Sequence, residues 1–268
     1  QEKMRTHLIR ITDCENVLVK DVTLQNSPKF HLIPTRCNNV IVDNVTIRCP
    51  WNAQNGDALD ISSCKNVLIV NNTIDAGDDG ICMKAGAGES GLKYGPCENI
   101  LIENNAVFHA HGGFVIGSEF TGGIKNIVVR NNRFSGTDTG LRFKSGIGRG
   151  GKVEGLYISD IFMTDIKDEA IVFECTYIDK KYSVKEDKAE TATYTDAPFA
   201  PDFGDIHISN VVCRNTKTAI SAHGLPGLKC VHDVTIDNCT FFYTKKDKDF
   251  DNNVDVKITN TKFLTYDK

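Results

Sequence analysis

A short phrase recurs along this chain, and its spacing leaves few folds open. It reads Val17-Leu-Val-Lys-Asp21, Val40-Ile-Val-Asp-Asn44, Val67-Leu-Ile-Val-Asn71, Ile100-Leu-Ile-Glu-Asn104 and Ile127-Val-Val-Arg-Asn131, and continues in looser form at Leu156, Ile206, Val234 and Val256. Take the first residue of each phrase as its anchor. Two positions on stands Val or Ile, from Val19 to Ile258; four on stands Asp or Asn, from Asp21 to Asn260. Seven on stands a further apolar column, from Leu24 to Phe263. Apolar residues at alternate positions have the period of a strand, not of a helix. The Asn or Asp that follows, read as the next inward position, marks a sharp bend, where its side chain can bond local backbone groups. Anchors lie 23, 27, 33, 27, 29, 50, 28 and 22 residues apart, the length of one coil of a β-solenoid. Stacking such coils pairs each copy with the next in parallel sheets. The reading is therefore an all-β chain, a right-handed single-stranded parallel β-helix of about nine recognisable coils.

Ladders of like side chains should follow from the stacking. Cys14, Cys37, Cys64 and Cys97 each precede their anchor by three positions, which predicts a column of buried thiols. None of the ten cysteines has the Cys-x-x-Cys spacing of a zinc ribbon. The Asn column should form an amide ladder. One domain covering 1–268 is expected, with a loop insertion at 177–202 inside the 50-residue spacing. The first coil starts close to Gln1 without a cap, so N-terminal coils or a cap are expected to be missing. No charged-then-apolar leader opens the chain, so any signal peptide is expected to have been removed. The net charge of −4 argues against a nucleic-acid partner, and no apolar run is long enough for a membrane span. A monomer is the default for a capped solenoid.

Thirteen positions after the anchor, scaffold logic stops explaining the residues. Successive coils read Asp78-Asp79-Gly80-Ile-Cys-Met-Lys84, His111-Gly112-Gly113-Phe-Val-Ile-Gly117 and Asp138-Thr139-Gly140-Leu-Arg142-Phe-Lys144. The preceding coil carries Asn55-Gly56-Asp57-Ala58-Leu59-Asp60 in the same frame. At about 4.8 Å per coil, Asp57 falls beside Asp79, with Asp78 at its flank and His111 on the next coil. Alternation places Asp60, Arg142 and Lys144 on the outward face. Three carboxylates this close cannot all ionise freely, so one should have a raised pKa, and a carboxyl that keeps its proton is what a general acid requires. An isolated Asp-Asp pair is usually a turn and a lone His or Arg usually surface; their shared column is what singles them out.

With these motifs in order, the chain resembles the polygalacturonase family, glycoside hydrolase family 28. Asn55-Gly56-Asp57 is similar to that family's Asn-Thr-Asp, Asp78-Asp79 to its paired aspartates, His111-Gly112 to its Gly-His-Gly and Arg142-Phe143-Lys144 to its Arg-Ile-Lys. The resemblance implies a metal-independent inverting hydrolase with no cofactor, acting on an acidic pectic polysaccharide or oligosaccharide. It implies Asp79 as general acid, Asp57 and Asp78 as the groups that activate water, and His111 as tuning the acid. Arg142 and Lys144 would pair with a uronate carboxylate, Tyr177 would form a sugar-stacking wall, and Asn55 and Lys84 join them as candidate substrate contacts. Inversion wants acid and base about 6.5–9.5 Å apart, so the carboxyls should splay outward. The long stretch from Ala85 to Pro96 and the wording of 111–119 resemble the bacterial, often exo-acting branch. A polymeric substrate implies a secreted or periplasmic protein. Three alternatives stay open: a rhamnogalacturonan hydrolase of the same family, a calcium-dependent pectate lyase using the aspartates as ligands, and a noncatalytic carbohydrate-binding β-helix.

Overall fold

The structure, a computed structural model, describes residues 4–177, 197–251 and 253–266. Most of the expected insertion, 178–196, lies outside the described residues. The strands pair in parallel ladders along one axis. The first joins Ile9–Thr12, Leu32–Thr35, Leu59–Ser62, Ile81–Lys84, Gly112–Gly117, Thr139–Lys144 and Glu169–Glu174. The second carries the anchors, with Val17, Val40, Val67, Ile100, Ile127 and Leu156 paired in turn. The third is built from short strands such as Thr73–Asp75 and Ala106–Phe108. The result is a parallel β-helix, with one short helix among the described residues, Gly88–Tyr94, standing in the Ala85 to Pro96 stretch.

Inside it, the anchor, anchor-plus-two and anchor-plus-seven columns form one continuous apolar core that includes Val67, Ile69, Ile74, Ile100, Ile102 and Val107. Phe143 and Phe173 stack in register, with centroids 4.4 Å apart, and Phe203 meets both edge-on. These rings back the strand that carries Arg142 and Lys144. The glycine column has a packing cause. A Cβ at Gly80 would lie 2.6 Å from Val107, one at Gly113 would enter the Phe134 ring, and one at Gly140 would meet Met163. Each clash is with the anchor-plus-seven side chain of the following coil.

Two ladders differ from their expectation. The Asn/Asp column does not point inward: all its members, from Asp21 through Asn71, Asn104 and Asn131 to Asn260, are exposed and have φ between 47° and 60°. This left-handed conformation, tolerated best by Asn and Asp among side-chain-bearing residues, turns the chain so that the following residue points inward. The expected ladder forms along the exposed column itself, where Asn44 Nδ2 donates to Asp21 Oδ1 at 2.7 Å and Asn238 Nδ2 to Asn210 Oδ1 at 2.8 Å, and Asn72, Asn105 and Asn132 form a second, buried one, with Asn72 Nδ2 donating to Asn105 Oδ1 at 2.8 Å and Asn105 Nδ2 to Asn132 Oδ1 at 3.0 Å. A second left-handed column precedes the anchors at Asn16, Asn39, Asn66, Asn99 and Asn126. The thiol column holds for Cys37, Cys64 and Cys97, which are buried; Cys14, on the first coil, is exposed because no earlier coil covers it among the described residues.

Candidate active site

Register alone assembles the polar cluster. Leu59 pairs with Ile81, Ile81 with Phe114 and Phe114 with Leu141. Asp57 is thereby set beside Asp79, as their backbones confirm: Ala58 N donates to Asp79 O at 2.9 Å, and His111 N donates to Asp78 O at 2.8 Å. Carboxylate oxygens of Asp57, Asp78 and Asp79 come within 4.8 Å of one another. This is closer than the expected outward splay. Asp57 and Asp79 are both almost fully buried, at 3% and 1% exposure.

The cations lie on the other side of Asp79. Lys144 Nζ donates to its Oδ2 at 2.7 Å, and Arg142 Nη1 stands 3.6 Å from its Oδ1. Alternation does put Arg142 and Lys144 on the side of the strand away from the core, as it does Asp60. Yet Lys144 and Asp60 are only 5% and 1% exposed, so the outward face here is not a solvent face. Neighbouring coils and side chains roof it over. Tyr177 contributes part of that cover. Its ring lies 5.8 Å from the Arg142 guanidinium, 5.3 Å from Lys144 Nζ and 5.2 Å from the Arg149 guanidinium, and its carbonyl accepts from Arg149 Nη2 at 2.7 Å.

Charge and burial separate the carboxyls, and the raised pKa expected within the cluster falls on Asp57 and Asp60. Burial pushes Asp79 towards the protonated form, but Lys144, Arg142 and Lys84 outweigh it and hold the carboxyl below the usual range. Burial raises Asp57 well above that range, and the Asp60 charge adds to the rise. Asp57 Oδ1 has no hydrogen-bond partner among the described residues. Burial also brings Asp60 up to about 6 against the pull of Lys84, whose Nζ is 3.8 Å from Asp60 Oδ1. Burial thus favours the protonated form at Asp57, while the cations favour the carboxylate at Asp79. His111, hydrogen-bonded through Nδ1 to Asp78 Oδ1 at 3.1 Å, has a raised pKa because of that bond.

Other candidates are placed differently. Lys84 is drawn into a buried network with Asp60, Glu119 at 3.8 Å and the Gly117 carbonyl at 3.3 Å. Asn55 Oδ1 accepts from Arg5 Nη2 at 3.1 Å, so it braces the turn leading to Asp57. The sequence gives no signal for His31. This fully buried residue donates to Asp57 O from its backbone N at 3.0 Å and from Nδ1 at 2.9 Å, while Nε2 accepts from Ser27 N at 3.2 Å. Nor does it signal Arg149, 1% exposed and 3.7 Å from Glu119.

The three-aspartate cluster has the donor chemistry for a divalent cation. Calcium, however, takes six to eight oxygen ligands, and here Lys144 already occupies Asp79 Oδ2, with the Arg142 guanidinium 3.6 Å from Oδ1. The set fits proton transfer beside an anion-binding pair better than metal binding.

Known proteins carry the same arrangement of sequence and fold. The chain is 30% identical over 212 residues to an exo-poly-alpha-D-galacturonosidase of Dickeya chrysanthemi, covering 79% of this chain and 34% of that one. It is 31% identical over 231 residues to an endo-polygalacturonase of Pectobacterium carotovorum subsp. carotovorum, covering 86% and 51%. The crystal structure of a hyperthermoactive exopolygalacturonase from Thermotoga maritima superimposes with a TM-score of 0.77 at 28% identity, over 95% of this chain and 55% of that one. The chain thus spans between a third and about half the length of these relatives. Residues 1–259 match the sequence profile described as glycosyl hydrolases family 28, and the chain belongs to that family.

Proposed function

We propose that this chain carries the active site of a hydrolase that cleaves α-linked galacturonic-acid-containing pectic chains with inversion. The observation that carries the reading is the buried Asp57–Asp79 pair next to Arg142 and Lys144, with the Tyr177 ring over the cations. A guanidinium and an ammonium in one covered recess suit a sugar carboxylate. An aromatic face beside them suits the apolar face of a pyranose. Asp79, bonded to Lys144 and 3.6 Å from Arg142 Nη1, is the candidate to protonate the leaving oxygen of a sugar held by those cations. Asp57 and Asp78 are the candidates to activate water, and His111 to tune the cluster through Asp78. The separation within 4.8 Å is shorter than inversion requires. The reading therefore includes a rotation of Asp79 towards the substrate that makes room for water.

Release from a chain end is part of the proposal, supported by likeness to proteins named as exo-acting. A polymeric substrate places the protein outside the cytoplasm, secreted or periplasmic, and it acts as a monomer. No helix among the described residues is long and apolar enough to cross a membrane.

The test incubates the protein with polygalacturonic acid and with rhamnogalacturonan, in chelator, beside Asp79→Asn. New reducing ends without ultraviolet-absorbing product, reduced at least about 100-fold in the variant, are expected on the first polymer. Proton NMR of the first product should show the inverted anomer; a retained anomer refutes inversion. Unsaturated product abolished by chelator would make the protein a lyase, and preference for the second polymer would make it a rhamnogalacturonan hydrolase. A ladder of mixed oligomers would sink the exo mode.

A further inference from the structure

Towards Gln1 the groove floor changes character within one coil. His31 N donates to Asp57 O as Ala58 N does to Asp79 O, so Phe30 takes the place in its coil that Asp57 and Asp79 take in theirs. Leu8 N donates to Phe30 O, which puts His7 one coil further along the same column. Ile33 falls in line with Asp60, because Leu32 pairs with Leu59, and Thr35 pairs with Ser62, the neighbour of Lys84. Acids thus give way to a ring, an aliphatic side chain and a hydroxyl.

The Phe30 ring is half-buried and meets His7 with centroids 4.9 Å apart, tilted by 51°. Thr35 is buried, and its hydroxyl has no hydrogen-bond partner among the described residues. Such a hydroxyl is able to pair with a polar group brought in from outside. Cations collect around this floor without acids to match them. Lys29 Nζ stands 5.4 Å and Lys84 Nζ 5.8 Å from the Phe30 centroid. Burial, then the charges of Lys29 and Arg10, lower the pKa of His7, so both cations face the same ring pair. Neither Lys29 nor Arg10 has an ion-pair partner among the described residues. Arg5 Nη1 donates to Pro28 O at 3.3 Å and to Gln54 O at 2.7 Å, which ties the turn before Lys29 to the turn that leads into Asp57.

We infer that Phe30, Lys29, Arg10 and Thr35 form a second sugar subsite, which takes a uronic acid residue further along the chain held at Arg142 and Lys144. This rests on the galacturonan reading above. Phe30 lies two coils from Asp79, about 10 Å at the spacing of paired strands, so the sugar there is not the one being cleaved. Its apolar face rests on Phe30, its carboxylate meets Lys29 and Arg10, and a hydroxyl meets Thr35. A neutral hexose gains only the stacking and the hydroxyl contact, so the subsite selects for charge at a second position.

Calorimetry on the Asp79→Asn protein, in which cleavage is expected to be lost, measures the subsite through its affinity for trigalacturonide. Phe30→Leu keeps apolar bulk and removes the flat face; Lys29→Met keeps the stem and removes the charge. Each, placed in the Asp79→Asn protein, should weaken trigalacturonide about tenfold. Lys257→Met makes the same change of charge on the exposed strand Val254–Thr259 and should bind like the Asp79→Asn protein. If either groove variant binds trigalacturonide as tightly as the Asp79→Asn protein, the inference is overturned and the functional reading stands. Equal weakening by Lys257→Met and Lys29→Met also overturns it, because the effect is then one of overall charge. An Asp79→Asn protein that is folded and binds no trigalacturonide overturns both.

Discussion

Asp60→Asn should make the protein more stable at neutral pH and leave it unchanged near pH 4. The carboxyl is 1% exposed, neither oxygen has a hydrogen-bond partner among the described residues, and Lys84 Nζ at 3.8 Å is too far to donate one. Its pKa rises from 3.8 to about 6 on folding, chiefly through burial. Between those values the folded protein holds a proton that the unfolded chain releases, so stability falls as pH rises through that window. Above it the full loss is present. A shift of about two units at 1.36 kcal/mol each amounts to about 3 kcal/mol. Asparagine has nearly the same shape and does not ionise, so it removes the pH-dependent part and keeps the neutral packing. Urea unfolding at pH 7 and pH 4 measures the effect: a gain of about 3 kcal/mol at the first and about zero at the second. A variant equally stable to the parent at both values, or less stable at pH 7, would refute the reasoning. Asp60 would then be paying for itself through an ion pair with Lys84 stronger than 3.8 Å suggests.

Two further perturbations test the scaffold. Asn105→Ala removes side-chain bonds to Ile69 O and Asn132 Oδ1 and leaves the buried Asn72 N–H, now bonded at 3.0 Å, without its acceptor. A loss of about 3–5 kcal/mol is expected in urea unfolding; less than about 1 kcal/mol would mean that the ladder contributes little. His31→Ala strips the ring from Asp57 O and from Ser27 N, which should cost about 2–4 kcal/mol of stability and shift the pH–rate limb that titrates the carboxyl cluster. A pH profile identical to the parent would show that His31 does not position Asp57.

Much of the architecture was legible because a β-helix writes one core residue per coil into each column. The register that sets Asp57 beside Asp79, and His111 beside Asp78, follows from the offsets alone. What periodicity could not reveal is the direction of a side chain at a bend. Left-handed Asn71 points out and Asn72 points in, although the pair reads simply as Asn-Asn. The Asn before each of the first five anchors marks a second such bend. Alternation tells core from groove but not groove from solvent, which is why the burial of Asp60 and Lys144 escaped it. The protonation pattern depends on distances between side chains 65 residues apart, such as Lys144 and Asp79, and no spacing rule supplies those. The helix Gly88–Tyr94 is too short, and too rich in glycine, to show a helical period.

The glycine column has a consequence for how chains of this kind can diverge. The space that a methyl group would need at Gly113 is filled by Phe134, and that at Gly140 by Met163. Each glycine and its neighbour one coil later therefore share a single volume, although 21 and 23 residues separate them in sequence. A change to alanine at the first position is tolerable only with a smaller side chain at the second. Among descendants of this chain the two positions should drift together. The groove floor is thus inherited as coupled pairs, and the acids and cations it carries keep their alignment only as long as both members of each pair change in step.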